Sequence, residues 1–239
     1  MVKKLIGAAV VLVVLAGAGL WWFVLRDDAP EELSVDSRSE EGASTPTGTT
    51  PDSFDGTWTV VPGGDSQAGF RIQEDFAGGV VGHEAVGRTP AVEGSITIAG
   101  TSVGDGSFSA DLTSLEFTDS PPGVNAANRA NAMRSKGLET DSFPEATFVL
   151  TAPIELEEIP GDGETTTAEA TGDLTLHGVT KAVTFTVEAK VEGDTIRVAS
   201  ADPVPIVLAD YEIEEPTAPF VASVSDEGSF EFLLVLQAG

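Results

Sequence analysis

Apolar and polar residues alternate along most of the chain after Phe54, most regularly between Gly172 and Gly193. From Val183 to Val191 every second side chain is apolar, and Thr, Glu and Lys occupy the positions between them. Because successive side chains of a strand point to opposite faces, this pattern predicts a half-buried antiparallel strand. The segment Gly172–Leu176 alternates in the same way and meets it across His177-Gly178, where Gly can take the positive φ of a turn. The sequence therefore predicts a long hairpin with one apolar face.

Similar short runs recur before and after this hairpin, divided by Gly, Pro and Asp. Only Gly78–Thr89 lacks a clear period, and it predicts a loop or a bulged strand. Eight or more short strands with turn signals between them indicate an all-β sandwich or barrel. Each inward-facing residue can belong either to a packed core or to the wall of a ligand cavity. The inward candidates are Phe70, Ile72, Ile96, Ile98, Phe108, Leu112, Phe117, Phe148, Leu150, Phe185, Val187, Phe230 and Phe232.

One segment, Asn125–Lys136, favours a short helix instead. It has an Asn that can cap the N-terminus, an Ala-rich interior and Gly137 at its end. Met133 lies on a narrow apolar stripe, flanked by Arg129 and other basic residues. Two interpretations stay open. The helix is either a solvated cover over the barrel mouth or a lid whose cations meet an anionic ligand head group.

The N-terminal part of the chain has the pattern of a membrane anchor. Lys3-Lys4 precedes the uncharged run 5–25, which would span about 31 Å as a helix and so match a hydrocarbon core of about 30 Å. A cleaved signal peptide is the alternative, because Ala16-Gly17-Ala18 has the small-x-small form, but the apolar run continues well beyond it. We predict an uncleaved anchor over residues 1–26, single-pass, with the N-terminus inside and the following domain outside the cytoplasmic membrane.

The segment 27–53 separates this anchor from the globular part. It is acidic at first and then rich in Thr, Pro and Gly, without apolar periodicity, which predicts a disordered linker. A flexible chain of this length would span about 30 Å on average. The globular domain is predicted over residues 54–239.

The composition of the chain and the motifs that it lacks argue against several classes of function. A net charge of −27 repels phosphate backbones, which argues against nucleic-acid binding, and the absence of cysteine removes disulfides and thiolate chemistry. His83-Glu84 lacks the second His of a zinc-protease motif, and the chain has no hydrolase elbow or nucleotide loop. Acid pairs such as Asp162/Glu164 and Asp210/Glu212 suit solvated turns better than a Ca²⁺ site. We expect His177, at the hairpin turn, to have a structural role or to be exposed. We expect no catalytic residue, metal or cofactor.

Three blocks of the sequence resemble the YceI-like family. The block GDLTLHGVTK, residues 172–181, is close to the family signature G-x-L-T-[IL]-[RHK]-G-V-[TS]-[KR]. The block 137–148 resembles the F-x-x-x-x-[FY]-P-x-[AI]-x-F element, and 84–89 resembles a block of actinobacterial members. The resemblance implies an antiparallel, lipocalin-like β-barrel of about eight strands, with one short helix and an elongated cavity for an isoprenoid-like lipid.

From these features we expect a membrane-tethered, non-enzymatic protein that binds, carries or senses an isoprenoid-type or other long-chain lipid. The predicted ligand-binding residues are the inward candidates other than Ile96 and Ile98, together with Arg129 and Met133 of the helix. The alternative is a stress-response or protein-interaction module outside the cytoplasm, with a filled barrel core.

Overall fold

The computed structural model of the chain describes residues 29–38, 48–61, 65–77, 82–119, 121, 124–216 and 221–239. Within these residues the chain forms an antiparallel β-barrel with one short α-helix, α1 (Ala126–Ala132), which confirms the predicted fold class. The strands are β1 Gly56–Val60, β2 Gln67–Phe76, β3 His83–Thr89, β4 Val92–Ala99, β5 Ser102–Asp111, β6 Glu116–Phe117, β7 Glu145–Leu150, β8 Ile154–Glu155, β9 Thr165–Leu176, β10 Val179–Glu192, β11 Thr195–Ser200, β12 Val204–Val207 and β13 Val221–Ala238.

Eight strands close the barrel, in the order β1-β4-β5-β7-β9-β10-β11-β13, and β13 pairs back onto β1. The 18-residue β13 also pairs with β2 between Val221 and Leu233 and with β12 between Glu227 and Phe230. The strand β2 in turn pairs with β3, and β3 with β6. We call the end covered by α1 the helix end. The opposite end, with the turns at Gly100-Thr101 and Gly193-Asp194, is the base.

The predicted central hairpin is confirmed as β9 and β10, which pair over twelve residues. His177 and Gly178 both have positive φ, 52° and 76°, as in the primed turns whose twist suits a two-residue hairpin loop. Phe185 and Val187 of β10 face the barrel interior, and the intervening Thr186 is exposed.

The irregular segment predicted between Gly78 and Thr89 is a regular strand from His83 onwards, paired with β2 over seven residues. The prediction was wrong there because Ala85 and Val86, which point to opposite faces, are both 0% exposed. A strand buried on both faces has no reason to alternate polar and apolar residues.

The helix begins where the sequence predicted, since the Asn125 side chain accepts a hydrogen bond from the Asn128 backbone N–H at 3.0 Å. After Ala132 it continues as a wider π-helical turn, Met133–Gly137. The residue with left-handed φ beyond it is Glu139, at 45°, rather than the predicted Gly137. Gly137 instead lies close to Pro216, whose Cβ would be 3.4 Å from an added methyl group.

Residues 29–38, which we call the strap, pack against the outer wall of the barrel, although the sequence predicted disorder for all of 27–53. Leu33 and Val35 are buried and form a small apolar cluster with Ala199 and Leu233. Strap carbonyls also accept hydrogen bonds from arginines on the barrel. These bonds satisfy backbone groups of the strap that lie against the barrel wall. The order arises from a surface built by distant strands, and the local composition does not reveal it.

None of the helices within the described residues is long and apolar enough to cross a membrane. The predicted span, 5–25, and the anchor segment 1–26 lie outside those residues.

Candidate ligand-binding cavity

An apolar cavity of about 310 Å³ lies inside the barrel, within the size range of small-molecule sites, which begins at about 300 Å³. It extends from Met133 and Pro216 at the helix end to Phe54 and Ile159 near the base. Every residue that the sequence predicted as ligand-binding lines it: Phe70, Ile72, Phe108, Leu112, Phe117, Arg129, Met133, Phe148, Leu150, Phe185, Val187, Phe230 and Phe232.

The base of the cavity is formed by the segment 151–164, which sequence reasoning did not include. Ile154, Leu156 and Ile159 from this segment line the cavity. The backbone N–H of Leu156 donates to the carbonyl of Thr101 at 3.0 Å and so fixes the segment to the β4–β5 turn. Only two residues of it form a strand, so the segment has no alternation from which an inward face could be predicted.

Phe185 occupies the middle of the cavity. Its ring centroid lies 5.2 Å from that of Phe148, 5.4 Å from that of Phe230 and 5.9 Å from that of Phe232. Phe230 packs with an apolar cluster on the helix side, whereas Phe232 packs with the cluster nearer the base. The Phe185 ring therefore bridges the two clusters, and any chain that occupies the whole cavity must pass it.

Glycines in the wall leave room for phenylalanine rings. Phe70 pairs directly with Gly87, and Phe108 with Gly94, on adjacent strands. A methyl group at Gly87 would lie 2.5 Å from the Phe70 ring and 2.7 Å from Leu115, so these side chains would have to move. This packing could have been predicted from the sequence, because a glycine within a strand often marks a site where another group approaches the backbone closely.

A cluster of buried charges lies at the helix end of the cavity. The guanidinium of Arg129 on α1 donates to Asp119 Oδ2 at 2.5 Å and to Glu74 Oε2 at 3.1 Å. His83 Nε2 lies 2.7 Å from the same Asp119 oxygen. We call Glu74, His83, Asp119 and Arg129 the ion cluster. The guanidinium also lies over the Phe117 ring, 3.7 Å from its centroid, as in a cation–π contact.

The two carboxylates of the ion cluster are shifted in opposite directions. Burial raises the pKa of Glu74, and the charge and hydrogen bond of Arg129 only partly offset it. Burial also acts to raise the pKa of Asp119, but hydrogen bonds from His83 and the Val86 N–H, with the charge of Arg129, lower it below its usual value. Asp119 is therefore the carboxylate held in its charged form.

These contacts bear on the two interpretations of the helix. Arg129 lines the cavity, but both sides of its guanidinium are occupied by carboxylates. Arg134 donates to the carbonyl of Leu115 at 2.9 Å and to the side chain of Asn131 at 3.0 Å. In this structure the two arginines hold the helix onto the barrel.

His177 links three loops at the helix end, as the structural role predicted for it requires. Nε2 lies 3.0 Å from the Glu139 carboxylate, and Nδ1 lies 3.2 Å from the Tyr211 carbonyl. The Phe143 ring packs against the imidazole with centroids 4.2 Å apart.

Across the ranges that the structure describes, no three His, Asp or Glu side chains are placed to hold a metal ion together. The acids considered for Ca²⁺ have other contacts: Asp162 accepts from the Gly193 N–H at 2.8 Å, and Asp210 pairs with Lys181 at 3.0 Å.

A family model described as "YceI-like domain" matches residues 58–236. A UPF0312 protein of Pseudomonas savastanoi pv. phaseolicola is 34% identical over 139 residues, which are 53% of this chain and 68% of that protein. A UPF0312 protein of Pseudomonas putida strain W619 is 50% identical over 56 residues, and this match spans only 26% of its length.

Solved structures show the same fold at lower identity. A polyisoprenoid binding domain from Saccharophagus degradans, implicated in plant cell wall breakdown, aligns with a TM-score of 0.57 and 19% identity, over 76% of this chain and 98% of that one. BcnA of Burkholderia cenocepacia aligns with a TM-score of 0.50 and 19% identity, over 70% of this chain and 95% of that one.

Proposed function

Because the chain belongs to the YceI-like family, we propose that it is a membrane-tethered, non-enzymatic protein that carries or senses an isoprenoid-type or other long-chain lipid. The observation that carries this proposal is the apolar cavity through the barrel, lined by the predicted residues. The similar fold of the Saccharophagus degradans protein, a polyisoprenoid binding domain, supports the same class of ligand.

The energetics of transfer favour such a ligand. At about 0.8 kcal/mol per buried CH₂, ten carbons moved from water into the cavity contribute about 8 kcal/mol before the costs of binding. A lipid that leaves a bilayer gains much less, because it is already in an apolar environment. Binding selectivity then depends on shape, and Phe185 at mid-depth is the side chain that a long chain must pass.

Support for a role in binding rather than catalysis comes from the polar groups beside the cavity. Arg129 of the ion cluster is paired with the carboxylates of Glu74 and Asp119, and these contacts hold α1 in place. The apolar run 5–25 in the sequence supports the tether, and Lys3-Lys4 before it supports an orientation with the domain outside the cytoplasmic membrane. A filled-barrel interaction module fits less well, because the interior keeps a volume of about 310 Å³.

The proposal is tested with the full chain, purified in mild detergent and placed in lipid nanodiscs. Co-purifying lipid is identified by mass spectrometry after solvent extraction, and uptake of a fluorescent polyprenol is titrated. We expect a bound long-chain lipid and saturable uptake. If the chain carries no lipid and takes up no probe, the proposal is wrong.

A matched pair of variants assigns uptake to the cavity. Phe185→Trp adds volume at the centre of the cavity, whereas Thr186→Trp adds a large ring to the exposed face of the same strand. We expect the first variant to fold with reduced uptake and the second to bind like the natural chain. Unfolding of Phe185→Trp alone would instead indicate a tightly packed core.

A further inference from the structure

The strap fixes the direction in which the chain leaves the barrel at its N-terminal side. Near its start the strap contacts β2, where the Arg71 guanidinium donates to the carbonyl of Pro30 at 2.6 Å. Arg71 pairs across the sheet with Ser229 of β13. Three residues later, the N–H of Leu33 donates to the buried carboxylate of Glu231, two positions further along β13, at 3.1 Å. The strap thus advances along β13 toward the base.

The second half of the strap continues in the same direction. The carbonyl of Val35 accepts from the Arg197 side chain at 2.6 Å, and Arg197 pairs with Val235 of β13. Arg38 then forms an ion pair with Glu192, beside the β10–β11 turn at the base, at 2.8 Å. The strap therefore follows β13 in the same direction, through a turn at Val35-Asp36 that the Ser37 N–H closes onto the Ser34 carbonyl, with residue 29 toward the helix end and residue 38 toward the base.

The distance from the start of the strap to each end of the barrel follows from strand register. Five residues of β2 separate Arg71 from Phe76, the last residue of that strand at the helix end, which is about 17 Å. Eight residues of β13 separate Ser229 from Gln237 at the base, which is about 26 Å. Pro30 is thus nearer to the helix end.

The chain between the predicted membrane span and the strap is short. From Leu25 to Pro30 there are five peptide steps, which reach at most about 18 Å when fully extended. That length is close to the distance of about 17 Å to Phe76, where β2 ends on the helix side, but is shorter than the distance of about 26 Å to the base. With the base on the membrane, Pro30 would lie about 26 Å above the surface and beyond the reach of the tether.

We propose that the strap orients the barrel so that its helix end lies at the surface of the membrane in which residues 5–25 are anchored. This inference rests on the tether of the proposed function. A lipid could then pass between the bilayer and the cavity without crossing bulk water, because the cavity reaches the helix end beside Met133 and Pro216. The disordered linker predicted from the sequence would have allowed any orientation of the barrel. The strap shortens the free chain between the membrane span and the barrel and so restricts the orientation.

The helix end is acidic, so attraction to the membrane surface does not explain this orientation. The short tether has to hold it. The rim of the helix end carries the exposed acids Glu139, Glu212, Glu214 and Glu215, which outnumber the exposed base Lys136. Such a rim is repelled by anionic lipid head groups, which a basic surface would attract. Loss of the short tether should therefore release the orientation.

Single-cysteine labelling tests this arrangement, because the natural chain has no cysteine that would compete for the label. Ala127→Cys places a fluorophore on the exposed face of α1 at the helix end, and Thr101→Cys places one in the exposed β4–β5 turn at the base. The full chain is reconstituted in nanodiscs with an energy acceptor on the lipid head groups. We expect strong transfer from position 127 and weak transfer from position 101.

The matched control is an insertion of twenty Gly and Ser residues after Asp28, which adds about 25 Å of average reach without altering the strap. We expect the difference between the two labels to collapse in this variant. Equal transfer from both labels in the natural tether, stronger transfer from position 101, or a chain that does not stay on the nanodisc overturns the proposal. An insertion without effect overturns the role of the tether. None of these readouts depends on lipid uptake, so failure of the binding function remains distinguishable.

Discussion

Removal of the charge should destabilise the fold far more at Asp119 than at Glu74, the other carboxylate of the ion cluster. Asp119→Asn leaves an amide where one carboxylate accepts from the Val86 N–H, His83 and Arg129. An amide cannot accept all three bonds, so charge-assisted bonds are lost inside the barrel. We expect a loss of about 3–5 kcal/mol in the free energy of unfolding, as for a buried ion pair that loses one partner.

Glu74→Gln should cost far less. Among the hydrogen bonds of the described residues, the Glu74 side chain accepts only from Arg129, and its pKa is raised because burial outweighs that partner. Removal of its charge relieves the desolvation penalty while Arg129 stays paired with Asp119. We expect stability at neutral pH within about 1 kcal/mol of the natural chain, since the lost bond and the relieved penalty are of similar size.

The pH dependence separates the two effects. The lowered pKa of Asp119 contributes stability above the usual pKa of the group, and this contribution is lost as pH falls through the lowered value. The deficit of Asp119→Asn should therefore shrink in acid. The raised pKa of Glu74 favours the folded state at low pH, and this contribution is lost as pH rises through the raised value. Relative to the natural chain, Glu74→Gln should therefore improve as pH rises.

Urea denaturation followed by circular dichroism, at a series of pH values between about 3 and 8, measures both variants against the natural chain. Comparable slopes of the unfolding free energy against urea would show that the same structure unfolds in each case. The reasoning is refuted if the two substitutions cost the same at neutral pH, if Glu74→Gln is the more damaging, or if the two pH trends are exchanged.

Three further substitutions address the wall and the strap. Gly87→Ala should push Phe70 and Leu115 into the cavity, with a loss of about 1–3 kcal/mol in denaturation and weaker polyprenol uptake; unchanged uptake would contradict the proposed fit of rings and glycines. Leu33→Ala should remove about 2–5 kcal/mol and expose the strap to protease, as measured by limited digestion, and resistance equal to that of the natural chain would count against its packing role. Phe185→Ala should open the middle of the cavity and shift preference toward longer prenols in a competition series, whereas an unchanged order of preference would remove Phe185 as a determinant of chain length.

The barrel wall could be predicted from the sequence because each of its strands places apolar side chains at every second position, toward the interior. Phe185 and Val187 alternate with exposed residues, so their inward direction follows from the pattern alone. The turn at His177-Gly178 was equally local, since two adjacent residues determine its geometry. The family signature then connected these residues to the barrel of the YceI-like family.

The strap and the ion cluster could not be predicted because their partners are distant in the chain. Leu33 and Val35 are two apolar residues in an acidic segment, and they are buried because Ala199 and Leu233 lie beneath them on the barrel. Arg129 was identified as a cavity residue, but its two carboxylate partners lie on β2 and after β6. No periodicity marks Glu74 or Asp119 as buried, since the sequence shows them among many solvated acids.

The position of β13 as the last strand of the barrel has a consequence for how the protein is made. This strand joins β1, β2, β11 and β12, and its pair Trp58↔Ala238 connects residues 180 positions apart. Loop closure over such a separation is slow, and proteins dominated by distant pairings fold in milliseconds to seconds. The barrel cannot close until this strand has been synthesised. A nascent chain would therefore keep its barrel open, with the edges of β1 and β11 unpaired, until β13 has been made.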